Sequence, residues 1–322
     1  MNKSAMRFER SVSPGARSLS LWRWGLPLLL AAVVAVALSV GEGGWNADIV
    51  WQLRLPRVLA GMGVGALLAQ AGLAMQILLR NPLADPYVLG ASGGAGLGAI
   101  VALLLGAALW LGSVIGAGAA LLALLLMGRR IMASRDDEAS AQLILIGAML
   151  AAMAGALSTL LLTLVPDQQL RGAMFWLVGN LSGATHGLWL CGLALLGAVW
   201  LLWRQRRYDR LLLGSEAAWL LGEPVTRARL ELVLLAALAT GASVAVAGAV
   251  AFVGLVVPQA LRLVGLQRMR DQAWAAPLAG AALVVAADTL ARGVVMPYEL
   301  PVGAVTALVG APVFILMLRR AR

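Results

Sequence analysis

Cysteine, histidine and lysine are almost absent from this chain, which has one of each among its 322 residues. Cys191 has no second cysteine with which to form a disulfide or a cysteine-rich zinc site. With Lys3 as the only lysine, no G-x-x-x-x-G-K phosphate-binding loop can exist. One histidine and one cysteine also leave no visible catalytic constellation. We therefore predict that the chain has no metal site, needs no cofactor and is not an enzyme that hydrolyses ATP by itself.

Charge is also scarce, since 12% of the residues are charged and 61% are hydrophobic. A soluble protein of this size would need far more charge to cover its surface. The net charge of +10 does not indicate nucleic-acid binding, because the arginines stand at the ends of apolar runs and not on one surface. We predict one all-α integral membrane domain at residues 25–322, after a basic cytoplasmic leader at 1–24.

About ten apolar runs have lengths suited to crossing a bilayer. They lie at about 25–40, 57–78, 90–110, 112–127, 142–164, 188–203, 230–249, 251–266, 276–292 and 300–318. In this topology both termini are cytoplasmic, and all of the 25 lysines and arginines except Arg54, Arg57, Arg171 and Arg292 lie inside. A cleaved signal peptide is the other interpretation of the N-terminus, but the topology works best if the first run is kept.

Arg54, Arg57 and Arg292 break the positive-inside pattern, and two interpretations stay open on residues alone. They can reach lipid phosphates, or Arg292 can pair with Asp288 one turn earlier. Alternatively, they form an exposed cationic rim that docks an acidic partner.

Gln70, Gln76 and Asn81 are polar residues within or beside the second run. An uncharged polar group in a span faces protein or a water-filled cavity. The two interpretations are therefore a helix–helix hydrogen bond and the lining of a translocation path.

The longest polar stretch, residues 204–229, predicts a compact pair of short helices on the inner face. Ser215 can cap a helix from Glu216 to Leu221, because a hydroxyl satisfies free amides there and an acidic first turn suits the positive helix end. Gly222 can end that helix and Pro224 can open the next. The other interpretation is a solvated amphipathic linker.

Five motifs give this chain a close resemblance to the FecCD-type permeases, the membrane subunits of bacterial ABC importers for iron-siderophores, haem and cobalamin. The resemblance covers roughly residues 50–318. Its motifs are RLPR at 54–57, NPLADPYVLGASGGAGLGA at 81–99, AVAFVGLVVP at 249–258, ADTLAR at 287–292 and ELPVGAVTALVGAPVF at 299–314. A weak internal echo, such as Gly65 and Gly72 recurring as Gly241 and Gly248, fits the inverted repeats of transporters.

The resemblance implies a type II ABC importer permease fold with an inverted repeat, in the bacterial inner membrane. It implies a homodimer surrounded by lipid, with two ATP-binding cassette subunits and a periplasmic substrate-binding protein. By the same resemblance, Arg54, Arg57 and Arg292 receive glutamates of the binding protein, the second span flanks a path along the dimer axis, and residues 204–229 couple to the ATPase. Iron-siderophore is then the leading cargo, followed by haem and cobalamin.

Two departures from the family pattern lie toward the cytoplasm: Gln259 replaces a frequent histidine, and residues 267–271 replace a DHR-like triplet. They leave the details of ATPase contact open. An ion-coupled secondary transporter is the alternative function, but it should show ionisable groups in mid-span. A membrane enzyme or scaffold is disfavoured by the missing catalytic groups.

Overall fold

A computed structural model describes residues 16–41, 46–133, 138–295 and 298–320 of the chain. Throughout these ranges the regular elements are helices, so the all-α prediction is confirmed. Residues 1–15 of the predicted leader at 1–24, and the closing Arg322, lie outside the described residues.

Twelve α-helices follow one another along the described ranges. They are α1 Ala16–Ser39, α2 Ala47–Leu79, α3 Ala91–Leu104, α4 Leu109–Ala133, α5 Glu138–Leu162, α6 Asp167–Val178, α7 Gly187–Leu211, α8 Ser215–Leu220, α9 Val225–Ala247, α10 Val253–Leu263, α11 Met269–Gly293 and α12 Val302–Arg320. Among the described residues, seven of these helices are long and apolar enough to cross a membrane, and α3, α10 and α12 are shorter apolar helices. Together they correspond to the ten predicted runs.

Two boundaries differ from the prediction. Helix α1 begins at Ala16, so the end of the predicted leader forms its first turns. The predicted outer loop after the fifth run contains α6, which begins after Pro166 with Asp167 in its first turn. A proline just before a helix and an acidic first turn are ordinary start signals, but α6 is short and its mixed composition concealed it.

Helix α2 lies at the centre of the molecule, packed against α7, α9, α10 and α11. Its apolar window is 89% buried. A Cβ on Gly65 would overlap the backbone of Gly280 in α11, and a Cβ on Gly72 would overlap that of Gly254 in α10. Because these glycines lack side chains, the backbones approach closely enough for dispersion contacts to hold the helices together. The proposed repeat partners pack differently, since Gly241 faces Ala117, and the inverted repeat stays a prediction.

The peripheral helices present apolar side chains outward. The apolar windows of α1, α4, α5 and α7 are only 11%, 17%, 22% and 28% buried. In water such exposure would drive aggregation, whereas a bilayer or a second subunit covers it without cost. The fold therefore has a packed centre on α2 and an apolar perimeter.

Candidate functional site

Arg54 lies at the end of the bundle that the sequence predicts to be periplasmic, which we call the outer end, in a π-helical turn at Val50–Arg54 near the start of α2. It is 4% exposed. Its guanidinium donates hydrogen bonds to Leu38 O at 2.9 Å and to Gly41 O at 3.1 Å. Leu38 lies in the last turn of α1 and Gly41 just beyond it, so Arg54 binds carbonyls at the C-terminus of α1.

Arg57 and Arg292 share one carboxylate in the protein interior. Arg57 donates from Nε and Nη2 to Asp288 Oδ1, at 3.1 and 2.9 Å. Arg292 Nε lies 3.1 Å from Asp288 Oδ2, and its Nη2 donates to Ala37 O at 3.2 Å. The remaining end of Arg57 donates from Nη1 to Glu299 Oε1 at 2.8 Å. Arg57, Arg292, Asp288 and Glu299 together are neutral, so the excess positive charge at this end of the bundle comes from Arg54.

Arg54, Arg57 and Arg292 line an open pocket of about 580 Å³, which we call the outer cleft. Its wall is completed by Gln52, residues 182–185 and Glu299. The predicted exposed rim is corrected, since Arg57 and Arg292 are 8% and 9% exposed. The reason is the Asp288 carboxylate, which draws both guanidinium groups inward. The ion pair between Asp288 and Arg292, which the sequence offered as one interpretation of their i,i+4 spacing, is present in the structure.

The predicted path residues Gln70 and Gln76 of α2, and Asn81 just after it, each take part in a hydrogen bond within the described chain. Gln70 is fully buried and donates to Ala194 O at 2.7 Å. Gln76 is 3% exposed, donates to Gly254 O at 3.3 Å and accepts a bond from Arg262. Asn81 is exposed, and its Oδ1 accepts from Leu83 N at 2.9 Å within the turn. Because α2 is central, the amides of Gln70 and Gln76 donate to carbonyls of neighbouring helices, as the helix–helix interpretation expects. The lining of a path between two copies stays a prediction.

The segment predicted to face the cytoplasm forms a helical hairpin, in which α8 turns through residues 221–224 into the first turns of α9; we call it the braced hairpin. Helix α8 ends at Leu221 and Gly222, where φ is +80°, and Pro224 precedes α9. Glu216 lies in the first turn as predicted, but Ser215 is not the cap. Gly214 occupies that position, and the Ser215 hydroxyl instead accepts a bond from Arg229 at 2.8 Å.

Two glutamates tie the hairpin to the long helices beside it. Glu223 accepts from Arg207 at 3.1 Å and from Arg210 at 2.5 Å. Glu231 accepts from Arg204 at 3.1 Å and from Arg207 at 2.8 Å. Sequence reasoning missed this network, although the alternation of arginines and glutamates across 204–231 is a visible signal for it.

The tip of the hairpin is apolar and exposed. Trp219, Leu220 and Leu221 are 47%, 72% and 54% exposed. Large apolar side chains at the polar end of a membrane bundle are unusual unless a partner covers them. A rigid base with an apolar tip is suited to seating in a cleft of another protein.

Comparisons with known proteins agree over nearly the whole chain. The profile of the FecCD transport family matches residues 19–320. The "Vitamin B12 import system permease protein BtuC" of Klebsiella pneumoniae is 39% identical, with 94% of each chain covered. That of Salmonella typhi is 38% identical over 93% of this chain and 96% of its own length.

Solved structures show the same fold. A chain described as "an inward-facing conformation of a putative metal-chelate type ABC transporter" superposes with a TM-score of 0.84 at 28% identity, covering 94% of this chain and 99% of that one. PsaBC from Streptococcus pneumoniae, with a TM-score of 0.57 and 15% identity over 84% and 93%, shares the fold alone. The chain therefore belongs to the FecCD transport family, as a multi-pass permease of the bacterial inner membrane.

Proposed function

We propose that this chain is the permease subunit of an ABC importer that moves a bulky metal chelate from the periplasm to the cytoplasm. The observation that carries the proposal is the braced hairpin with its apolar tip, 72% exposed at Leu220. A permease without its own nucleotide site needs a stiff element that transmits the motion of a separate ATPase. The similarity to vitamin B12 permeases over 94% of the chain supports the same assignment.

The coupling element in this proposal comprises Ser215, Glu216, Leu221, Gly222 and Pro224. Two ATP-binding cassette subunits receive this hairpin, one from each copy of a homodimer. Glu223 ties the hairpin to two arginines of α7, and Glu231 joins α9 to two arginines of α7, so that displacement of the hairpin moves α7 and α9 as a unit.

A periplasmic substrate-binding protein docks at the outer cleft. Arg54, Arg57 and Arg292 line this cleft together with Glu299, whose side chain is 42% exposed. An acidic side chain of the partner can enter the cleft and take the Arg57 N–H now bonded to Glu299. The arginines thus serve docking from within a cleft and hold the bundle together at the same time.

Cobalamin is the cargo to test first, because the relatives at 38–39% identity carry that name. Iron-siderophore and haem stay as family-level alternatives, and no described residue favours a siderophore. The ion-coupled alternative gains no support, because the buried Asp288 is held by two arginines, which is not the state of a proton relay.

The test is ATP turnover in lipid nanodiscs, with the full chain assembled with the ATPase subunit encoded beside it. The neighbouring binding protein is added empty, or loaded with cobalamin, haem or ferric siderophore. Stimulation by one loaded form supports the importer and identifies the cargo. If the permease and the ATPase do not associate, the proposed function is wrong.

A further inference from the structure

A second cleft, of about 500 Å³, lies at the opposite end of the bundle from the outer arginines. We call it the inner cleft; it is lined by Arg23, Leu202, Arg268, Arg270, Asp271 and Trp274. The lining comes from the first turns of α1 and α11 and from the C-terminal part of α7. Three guanidinium groups and one carboxylate make it a positively charged cavity.

Among the described residues, the inner cleft keeps a net positive charge, because one carboxylate faces three arginines. Arg23, Arg268 and Arg270 are exposed, and none forms an ion pair with another residue in the described ranges. By contrast, Arg204, Arg207 and Arg210 nearby on α7 each pair with a glutamate. Arg268 also precedes the first turn of α11, a 25-residue helix whose N-terminal end adds positive potential. The cleft is therefore electrostatically suited to binding an anionic ligand.

The surroundings place the inner cleft at the level of lipid headgroups. Trp274 lines it, and Trp24 and Trp203, adjacent in sequence to Arg23 and Leu202, are 75% and 69% exposed. Tryptophan concentrates at the membrane–water interface. Helix α1, one wall of the cleft, is only 11% buried over its apolar window, so its outward face meets acyl chains.

We propose that the inner cleft binds the headgroup of an anionic phospholipid, such as phosphatidylglycerol or cardiolipin, from the inner leaflet. The phosphate lies among the three arginines and the acyl chains lie along the exposed faces of α1 and α7. Basic pockets between membrane helices on the cytoplasmic side are suited to such headgroups. Lipid fits better than a protein partner, because the walls of the cleft continue into apolar surface and the coupling hairpin is a separate segment.

The experiment is a titration of the purified full-length chain with phosphatidylglycerol or phosphatidylcholine, with bound lipid counted by native mass spectrometry. Wild type should retain one phosphatidylglycerol tightly and no comparable phosphatidylcholine. The Arg23→Gln/Arg268→Gln/Arg270→Gln variant should bind that lipid about a hundredfold more weakly, since each arginine near the surface contributes about fivefold. The single Arg270→Gln variant, which changes one exposed side chain, should lose about fivefold and provides the test if the triple variant does not fold.

The matched control is Arg129→Gln/Arg130→Gln/Arg319→Gln, which removes three exposed arginines on α4 and α12. This control lowers the net charge by the same amount but leaves the inner cleft intact, so it should retain one tightly bound phosphatidylglycerol. Equal losses in both variants would indicate diffuse attraction and overturn the proposal. It is also overturned if the cleft variants bind lipid as wild type does. Co-purification of the same variants with the ATPase subunit separates the other occupant: loss of that subunit with unchanged lipid binding would make the cleft a protein contact.

Discussion

Asp288 is the residue on which the outer end of the bundle depends. It is 3% exposed and pairs with two guanidinium groups that belong to different helices. Removing one member of a buried pair leaves an uncompensated charge in a medium that solvates it poorly. The carboxylate is therefore worth more to stability than an ion pair at the surface.

Replacing Asp288 with Asn should lower the free energy of unfolding by about 3–5 kcal/mol, because Arg292 stays buried without a counter-charge and Arg57 keeps only the partly exposed Glu299. Denaturation in detergent, followed by tryptophan fluorescence, measures the change. The control is Glu299→Gln, whose side chain is 42% exposed and which should cost less than about 1 kcal/mol. Equal effects of the two changes would contradict the central role of Asp288.

Glu299 also offers a cleaner test of docking than charge reversal of the arginines. Arg54→Glu with Arg57→Glu should abolish uptake, but burial of both side chains means that it should also destabilise the fold. Glu299→Gln instead frees the outer N–H of Arg57 from a competing carboxylate. The binding protein should then dissociate about two- to fivefold more slowly, as interferometry on nanodiscs can measure. Unchanged or faster dissociation would argue against a partner carboxylate at Arg57.

At the scale of elements, the crossing of α2 and α11 depends on backbone contact at Gly65 and Gly280. A Cβ at Gly65 would meet the Gly280 carbonyl, which is fixed backbone and cannot rotate away. Gly65→Ala should therefore force the helices apart at a cost of about 1–3 kcal/mol.

Thermal unfolding in detergent measures this effect. Gly155→Ala on α5 is the control, because its Cβ would meet nothing within 4 Å, and alanine should be neutral or stabilising there. If both variants unfold at the wild-type temperature, the close approach of α2 and α11 does not contribute to stability.

The hairpin at α8 is a second element with a separable role. Leu220→Asp places a charge on a side chain that is 72% exposed, so the fold should be unaffected while association with the ATPase subunit falls at least tenfold. Co-purification and ATP turnover measure the loss. Thr226→Asp, on the exposed first turn of α9, adds the same charge without removing an apolar contact and should associate normally. If both variants lost association with the ATPase subunit, the added negative charge would explain the effect, and the apolar tip would not be needed for binding.

At the scale of the whole molecule, one chain is a packed body and not a conduit. Its central helix is 89% buried in its window, and Gln70 and Gln76 bond to neighbouring helices. A passage for a bulky chelate is therefore expected between two copies. Helix α5 and helix α12 present suitable apolar faces, including Met149, Met153 and Leu308, which are 59%, 57% and 76% exposed.

We expect the purified chain to be a homodimer, with about twice the single-chain mass of 33.4 kDa. Native mass spectrometry in a mild detergent measures the assembly. If α5 and α12 form the interface, Met153→Lys with Leu308→Lys should dissociate the dimer. The control is Leu188→Lys with Leu195→Lys on α7, which changes similarly exposed side chains and should leave the dimer intact. A monomer in the wild type would exclude this passage.

The sequence by itself determined the membrane helices, their order and the chain's family, because these depend on local composition and on motifs. The apolar runs predicted ten helices since each run is decided by its own residues, and α6 was missed because a short amphipathic helix lacks that signal. The position of the coupling hairpin was likewise readable from Gly222 and Pro224.

Only the tertiary structure decided what each polar side chain does. Arg57 and Asp288 are separated by 231 positions, so no local pattern could reveal that they share one buried site. The same holds for Gln70, whose partner is a carbonyl on α7, and for Arg23, which meets Arg268 only when α1 packs on α11. Packing between distant segments decides which charged side chains are buried. A charge that water can reach is able to dock a partner, whereas a buried charge needs a partner within the protein.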